Sequence, residues 1–553
     1  MFDSVFAQVA LILGLAATGG ALAQLLRQPL IVAFIAIGIL LGPSVFGIVA
    51  HSTEIELFAR LGIALLLFVV GLKLDLHVIR TVGPVALASG LGQVVFTSAI
   101  GYLIALLLGM SHVTAVYVAV ALTFSSTIII VKLLSDKREV DALHGRIAVG
   151  FLIVQDIVVV LVMIGLTAFG QAEGDTNLGW AALQILLKGA AMLLAVALLM
   201  RYVLPGLLRR LAHSSELLML FAIAWAVLGA VMGDTLGFSR EVGAFLAGVS
   251  IASTPYREQV AARLVSLRDF LLLFFFIELG ATLDLSMLGA QLSASAVFSL
   301  FVLIGNPLIV MIIMGYMGYR KRTGFLAGLT VAQISEFSLI LAALGLSLGH
   351  LGQDTVGLIT LVGLITISAS TYMILYSHTL YEWLAPWLSI FERKVPHREI
   401  DSILSSGTHA DVLLVGLGRY GAALAANLRD QGCSLLAVDF DPTNVEQHAR
   451  NGYRVHYGDA EDPEFVATLP LAQMRWVVST VRDRAVNRLF VQSLRQQGYR
   501  GRIAVAASNQ RDATILEQEG VDLVLIPYSD AAREAANRLV ATAFDAPKPI
   551  GEQ

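Results

Sequence analysis

Two residues in the stretch Gly150–Leu161 could do chemistry that their neighbours cannot. Gln155 and Asp156 place a neutral amide beside a carboxylate inside an apolar run long enough to cross a bilayer. A carboxylate near the middle of a membrane costs on the order of 3 kcal/mol even on lenient insertion scales, so it faces a partner or a water-filled cavity. One reading makes Asp156 a structural charge locked to an Arg or Lys. The other makes it a functional group that marks an ion or proton path. Hydroxyl clusters interrupt two further apolar runs, at Thr123-Phe-Ser125-Ser126-Thr127 and at Thr330-Val-Ala-Gln333-Ile-Ser335-Glu336-Phe-Ser338. Such side chains either let helices pack closely or satisfy backbone groups freed where a helix unwinds. Two clusters at matching places, one helix from Asp156, favour unwinding. Glu336 then either neutralises helix N-termini at the crossing or carries protons. Glu278, in the apolar run Leu271–Leu283, either joins Asp156 through a shared proton or cation, or pairs with an inward Arg. Lys132 reads as an interfacial, snorkelling lysine.

The second chemical motif lies near the C-terminus. Asp411-Val-Leu-Leu-Val415 reads as a buried strand that runs into Gly416-Leu-Gly418-Arg-Tyr-Gly421 and then a helical stretch. A second strand, Leu435–Val438, ends in Asp439. Glycines at these positions permit a tight turn and the approach of a pyrophosphate to a helix N-terminus, and the acid accepts from ribose hydroxyls. Arg419 could reach phosphate. A strand around Tyr453–Tyr457 puts Asp459 at the same carboxyl edge, and strands at 476–479, 503–507 and 523–526 complete a doubly wound domain. Neither a metal-ligand cluster nor a nucleophile–base pair accompanies the motif, so it reads as a nucleotide sensor rather than an enzyme.

These residues need elements to hold them. The 553-residue chain is 57% hydrophobic and 14% charged, against roughly 25% charged in soluble domains. Its polar residues concentrate after Glu392. The expected domains are a transmembrane domain over 1–388, a linker over 389–410 and a nucleotide-binding domain over 411–545. Apolar segments of spanning length number thirteen, from 5–24 to 354–388. Arg27, Lys73, Arg80, Lys137, Arg138, Arg146, Arg209, Arg210, Arg257, Arg263 and Arg320-Lys321-Arg322 fall in alternate loops. By the positive-inside rule the N-terminus lies outside and the C-terminal domain in the cytoplasm. Met1-Phe-Asp-Ser has no basic n-region, so the first span reads as a retained helix. The single Cys433 suits a reducing compartment and reads as a bystander thiol. Ala33-Phe-Ile-Ala36, Leu67–Leu76 and Ala121-Leu-Thr123 recur about 210 residues later as Ala244-Phe-Leu-Ala247, Phe275–Leu285 and Gly328-Leu-Thr330. Asp75 and Asp284 close equivalent helices on opposite sides, so the copies are inverted, as in secondary transporters. The fold class expected is an all-α polytopic membrane domain with inverted repeats and two discontinuous crossing helices, followed by an α/β Rossmann-like domain.

The chain resembles the Kef-type branch of the monovalent cation:proton antiporter-2 family. The resemblance rests on Phe124-Ser-Ser-Thr127, Gln155-Asp156, Gly243-Ala-Phe-Leu-Ala-Gly248, Phe275-Phe-Ile277 with Gly280, and the Gly416–Gly421 loop of a TrkA-N (KTN/RCK) domain. It implies thirteen helices, a dimerisation bundle, a mobile core and electroneutral K+/H+ exchange by alternating access. Gln155 and Asp156 would bind the cation, and Asp156 would trade it for a proton. It also implies a homodimer through membrane and KTN domains, AMP or NAD(H) as regulatory ligand, the bacterial inner membrane as location, and a small regulatory subunit as a candidate partner. Nucleic acid is not expected as a partner. Two departures stand out. Thr254–Arg263 lacks the acidic cluster of glutathione-gated members, and Glu278 stands where many relatives have a small or polar residue. Competing functions are Na+/H+ exchange, a nucleotide-gated cation channel, which would need a filter of repeated carbonyls, and a membrane-bound NAD-dependent enzyme, which would need an acid or base that the sequence does not offer.

Overall fold

The computed structural model describes residues 5–43, 45–47, 53–73, 83–137, 139–140, 142–172, 194, 196–236, 238–282, 285–392, 410–460, 463–466 and 469–544. The repeat residues Asp75 and Asp284, and most of the segment expected to span at 178–204, lie outside them. The chain divides into two compact units near Glu392.

The first unit is helical: α1 (Val5–Leu25), α2 (Leu30–Leu41), α3 (Thr53–Lys73), α4 (Gly83–Leu107), α5 (His112–Ala121), α6 (Thr127–Asp136), α7 (Leu143–Ala172), α8 (Leu204–Leu211), α9 (Ser215–Thr235), α10 (Arg240–Ala252), α11 (Arg257–Ala281), α12 (Leu285–Leu300), α13 (Asn306–Tyr316), α14 (Lys321–Leu329), α15 (Glu336–Ser347), α16 (Gln353–Leu375) and α17 (Ser377–Leu388). Among the described residues, seven stretches are long and apolar enough to cross a membrane.

Two parts of this unit are built differently. In one, α3 packs along α10 and α11, and α2 lies along α11. Glycines allow these backbones to touch. A Cβ on Gly248 would strike the carbonyl of Phe68, one on Gly71 that of Phe245, and one on Gly280 that of Ile35. Without a hydrophobic drive between helices in lipid, close approach at small residues is what holds them. The motifs Gly243–Gly248 and Phe275–Gly280 are therefore helix-packing surfaces.

The other part contains the two interruptions. Helix α5 ends at Leu122, and α6 restarts after Ser126, whose extended backbone (φ −71°, ψ 108°) lets its hydroxyl accept from the Ile129 N–H. Helix α14 ends at Thr330, and α15 restarts after Ser335 in a reciprocal cap with Ser338. Freed N–H groups at a buried helix start need such acceptors. The breaks touch, because the Ser338 hydroxyl donates to the Ala121 carbonyl at 2.5 Å. Between α12 and α13 the helix widens into a π-turn over Phe301–Gly305. Pro307 follows at the second residue of α13 and has no N–H to return to the preceding turn.

The second unit is a six-stranded parallel sheet, β1 (Val412–Val415), β2 (Leu435–Asp439), β3 (Val455–Tyr457), β4 (Trp476–Ser479), β5 (Arg502–Ala506) and β6 (Leu523–Leu525). Its order is β3-β2-β1-β4-β5-β6. Helices α18 (Arg419–Asp430), α19 (Pro442–Arg450), α20 (Pro463–Val466), α21 (Arg484–Gln496), α22 (Gln510–Gln518) and α23 (Pro527–Phe544) connect and follow the strands. Strands β1 and β2 are apolar and buried almost throughout, as a sheet covered on both faces requires. All six expected strands are present, and the strand order reverses between β1 and β4.

Candidate functional site

Asp156 lies midway along α7 and is half-buried. Its Oδ2 accepts from the Thr127 hydroxyl at 3.0 Å, in the first turn of α6. The neighbouring Gln155 is buried (1% exposed). Its Oε1 accepts from the Ser125 backbone N–H at 3.0 Å. The amide and carboxylate thus take opposite ends of one unwound segment, a backbone donor at Ser125 and a hydroxyl at Thr127. Ser126 serves as the cap between them. The Ser125 hydroxyl is buried (1% exposed) and has no hydrogen-bond partner among the described residues. Burying an unpaired hydroxyl is unfavourable, so its position beside Gln155 and Asp156 suits an oxygen that meets a ligand.

The second break brings Gln333 and Glu336 into the same region. Gln333 Oε1 accepts from the Ser370 hydroxyl at 2.7 Å, while its Nε2 is buried without a partner among the described residues. Glu336 occupies the first turn of α15, 2% exposed, and accepts from the Ser335 hydroxyl at 3.3 Å. A carboxylate there faces the positive end of the half-helix dipole. Ser125, Ser126, Thr127, Gln155, Asp156, Gln333 and Glu336 therefore gather around the two breaks.

Glu278 does not join them. It borders a separate cavity of about 550 Å³ together with Glu56, Arg60, Asp234, Arg240 and Glu241. Asp156 is not among the residues bordering that cavity. Lys132 is exposed on α6.

Three buried residues belong to the crossing region that the sequence reading passed over. Asn306 donates to the Leu122 carbonyl at 3.2 Å and to the Val331 carbonyl at 3.4 Å, one from each break. Thr97 and Gln93, both on α4, complete its surroundings. The signal was available, because an amide inside an apolar spanning run is as unusual as Gln155.

A further polar cluster sits in the loop between α6 and α7. Glu139 accepts from His378 at 2.8 Å and lies 3.2 Å from His144 and 2.9 Å from Lys137. Burial pushes its carboxyl up, but the hydrogen bonds from His144 and His378 and the charges of Lys137 and His144 outweigh it. The result holds Glu139 well below the usual carboxylate range.

In the second unit, Gly416 turns the chain at φ +91°, a conformation that favours glycine. A Cβ on Gly421 would strike the Gly416 carbonyl. Gly418 caps α18 with open space beside it, and Arg419 is exposed at the first position of that helix. Asp439, 2% exposed, accepts from the Leu417 N–H and, at 2.8 Å, from the Asp441 N–H. Burial raises its pKa, against the lowering effect of these N–H bonds. Asp439 thus holds the glycine loop against β2. Asp459 follows β3 at the same carboxyl edge of the sheet, half-buried. The Thr480 hydroxyl, unremarked in the sequence reading, donates to the Gly416 carbonyl at 2.9 Å and braces the loop from β4.

Comparison with known proteins follows this division. Residues 11–375 match the family described as "Sodium/hydrogen exchanger, transmembrane", and residues 412–527 match the TrkA-N domain. The chain is 27% identical over 524 residues to the putative cation/proton antiporter YbaL of Escherichia coli K12, covering 93% of each chain. It is 28% identical over 489 residues to the putative K(+) efflux antiporter KefB of Alkalimonas amylolytica, covering 87% of this chain and 73% of that one. The helical unit shares its fold with the sodium proton antiporter MjNhaP1 of Methanocaldococcus jannaschii, with a TM-score of 0.52, 16% identity, and 71% and 98% of the two chains covered. With two interrupted helices meeting beside the half-buried Asp156 and a doubly wound unit following in the sequence, the chain belongs to the sodium/hydrogen exchanger family and carries a TrkA-N domain.

Proposed function

We propose that the protein exchanges a monovalent cation, K+ in preference to Na+, for H+, and that Asp156 binds the two alternately. The observation that carries this is the joint placement of Asp156 and Gln155 on one unwound segment, at Thr127 and Ser125. Unwound backbone, an amide oxygen, a hydroxyl and a carboxylate form an oxygen-rich set suited to a hard cation. A proton on Asp156 removes the charge that holds the cation, so the two compete for one group. With a neutral amide beside it, a single carboxylate supports one charge each way and hence electroneutral exchange. The preference for K+ draws on relatives named as K+ efflux antiporters. The finer reading places the N-terminus outside, thirteen spans in a bacterial inner membrane, and the TrkA-N domain in the cytoplasm. There it would bind AMP or NAD(H) at Gly416, Gly418, Arg419, Gly421, Asp439 and Asp459 and control exchange in a homodimer.

The test is proton flux in proteoliposomes loaded with a pH-sensitive dye, started by adding K+ or Na+. Wild type should move protons on cation addition, faster with K+, and Asp156→Asn should not. Cation-driven flux persisting in Asp156→Asn would remove Asp156 from the cycle. A sustained current proportional to flux on a solid-supported membrane would sink electroneutrality.

A further inference from the structure

The Gln155 amide is one end of a hydrogen-bonded ring whose direction is fixed. Asn306 Nδ2 points to the carbonyls of Leu122 and Val331. Carbonyls only accept, so the nitrogen must face them and Oδ1 must face Thr97. Thr97 donates its hydroxyl to that Oδ1 at 3.0 Å. One of its two lone pairs accepts from Gln93 Nε2 at 3.1 Å. The same nitrogen donates to the Thr123 carbonyl at 3.1 Å. Gln93 Oε1 therefore accepts, from Gln155 Nε2 at 2.7 Å. Gln155 Oε1 closes the ring on the Ser125 N–H, which can only donate. All four side chains are between 0% and 1% exposed.

An amide has two nearly isosteric orientations, and only its partners choose between them. Here both ends of the ring are backbone groups of one unwound segment, a carbonyl at Leu122 and an N–H at Ser125. No member can flip without opposing donor to donor or acceptor to acceptor. We infer that Asn306, Thr97 and Gln93 are positioning residues that lock the Gln155 oxygen, rather than its NH2, toward the Ser125 N–H of the unwound segment whose far end, Thr127, holds Asp156, and thereby set cation affinity. A flipped Gln155 would direct two N–H groups at the cation and at the Ser125 N–H. The ring is neutral throughout, so it orients the amide without placing a competing charge beside Asp156.

This inference rests on the reading of Gln155 and Asp156 as the cation site, and the experiment separates the two. Cation-driven proton flux is measured against K+ concentration for wild type, Thr97→Val, Thr97→Ser, Gln93→Leu and Asp156→Asn. Folding is checked by size-exclusion profile and thermal unfolding. Thr97→Val keeps the shape and breaks the ring. It should raise the apparent KM for K+ about tenfold, the scale of one lost orienting hydrogen bond, with maximal turnover within about twofold. Gln93→Leu, which leaves Gln155 Nε2 without its acceptor, should show the same split. It also stands in should Thr97→Val fail to fold. Thr97→Ser restores the hydroxyl and should restore KM. Wild-type KM in both Thr97→Val and Gln93→Leu overturns the inference. So does a Thr97→Ser protein as impaired as Thr97→Val, because packing would then explain the loss. If Asp156→Asn exchanges like wild type, the reading of the site fails instead, whatever the Thr97 variants do.

Discussion

Glu139 illustrates how far a single residue's role depends on partners that the sequence does not place beside it. It sits two positions after Lys137 in an ordinary basic loop, and the positive-inside count registers Lys137, Arg138 and Arg146 but not this carboxylate. His378, its nearest partner, is 239 positions away. The Arg322 guanidinium in turn reaches that histidine's other ring nitrogen at 3.4 Å. With Lys137, His144 and His378 all around it, Glu139 is held below its ordinary value of about 4.5. A carboxylate depressed in the folded state binds fewer protons there than in the unfolded chain, so its contribution is present above the unfolded value and fades as pH falls below it. Thermal unfolding of the detergent-solubilised protein should therefore drop progressively below about pH 4.5. Glu139→Gln should lower stability at pH 7 and flatten that acid slope. An unchanged slope in Glu139→Gln would assign the acid loss to other carboxylates. Asp156, by contrast, was legible at once, because a carboxylate in an apolar run is conspicuous whatever its partners.

At the scale of elements, the sequence revealed the two breaks through their hydroxyls, and it placed Gln155–Asp156 one helix from the first. It did not reveal Asn306, because the eye rests on charges within an apolar run and a single amide followed by proline reads as a kink. It also took Gly243–Gly248 and Phe275–Gly280 as family signatures without a physical reason. Their reason is contact between backbones. A substitution pair tests this directly. Gly248 faces the Phe68 carbonyl and the Gly71 Cα, whereas Gly165, on α7, has nothing within 4 Å of where a Cβ would stand. Gly248→Val should destabilise by about 1–3 kcal/mol or more, since neither backbone can yield without parting the helices. Gly165→Ala should be neutral or stabilising by up to about 1 kcal/mol, from helix propensity alone. Unfolding temperatures in one detergent compare them. Equal effects would mean that the glycines of α10 serve flexibility rather than contact.

The molecule as a whole joins a unit built for lipid to one built for water, and each was recognisable by a different pattern. The helical unit showed itself through spanning length and charge alternation. The α/β unit showed itself through one strand, a glycine loop, a helix and a second strand ending in an acid, a local order that the parallel sheet then enforces. In doubly wound sheets ligands bind at the carboxyl edge where strand order reverses. Here that edge holds Gly416 after β1 and Thr480 after β4. A nucleotide bound there stabilises the folded state by RT ln(1 + [L]/Kd), about 2.7 kcal/mol at a hundredfold excess over Kd. AMP or NADH added to the full-length protein should therefore raise the unfolding temperature of the α/β unit. Gly421→Val, whose side chain would collide with the Gly416 carbonyl, should abolish that rise. The same variant should still carry out exchange that depends on Asp156, since none of the residues gathered at the two breaks belongs to the α/β unit. A nucleotide shift that survives Gly421→Val would move the ligand away from the glycine loop. Exchange lost together with the shift would mean that the α/β unit is required for transport itself, whereas exchange that persists but no longer responds to nucleotide would make it a regulator of a complete transporter.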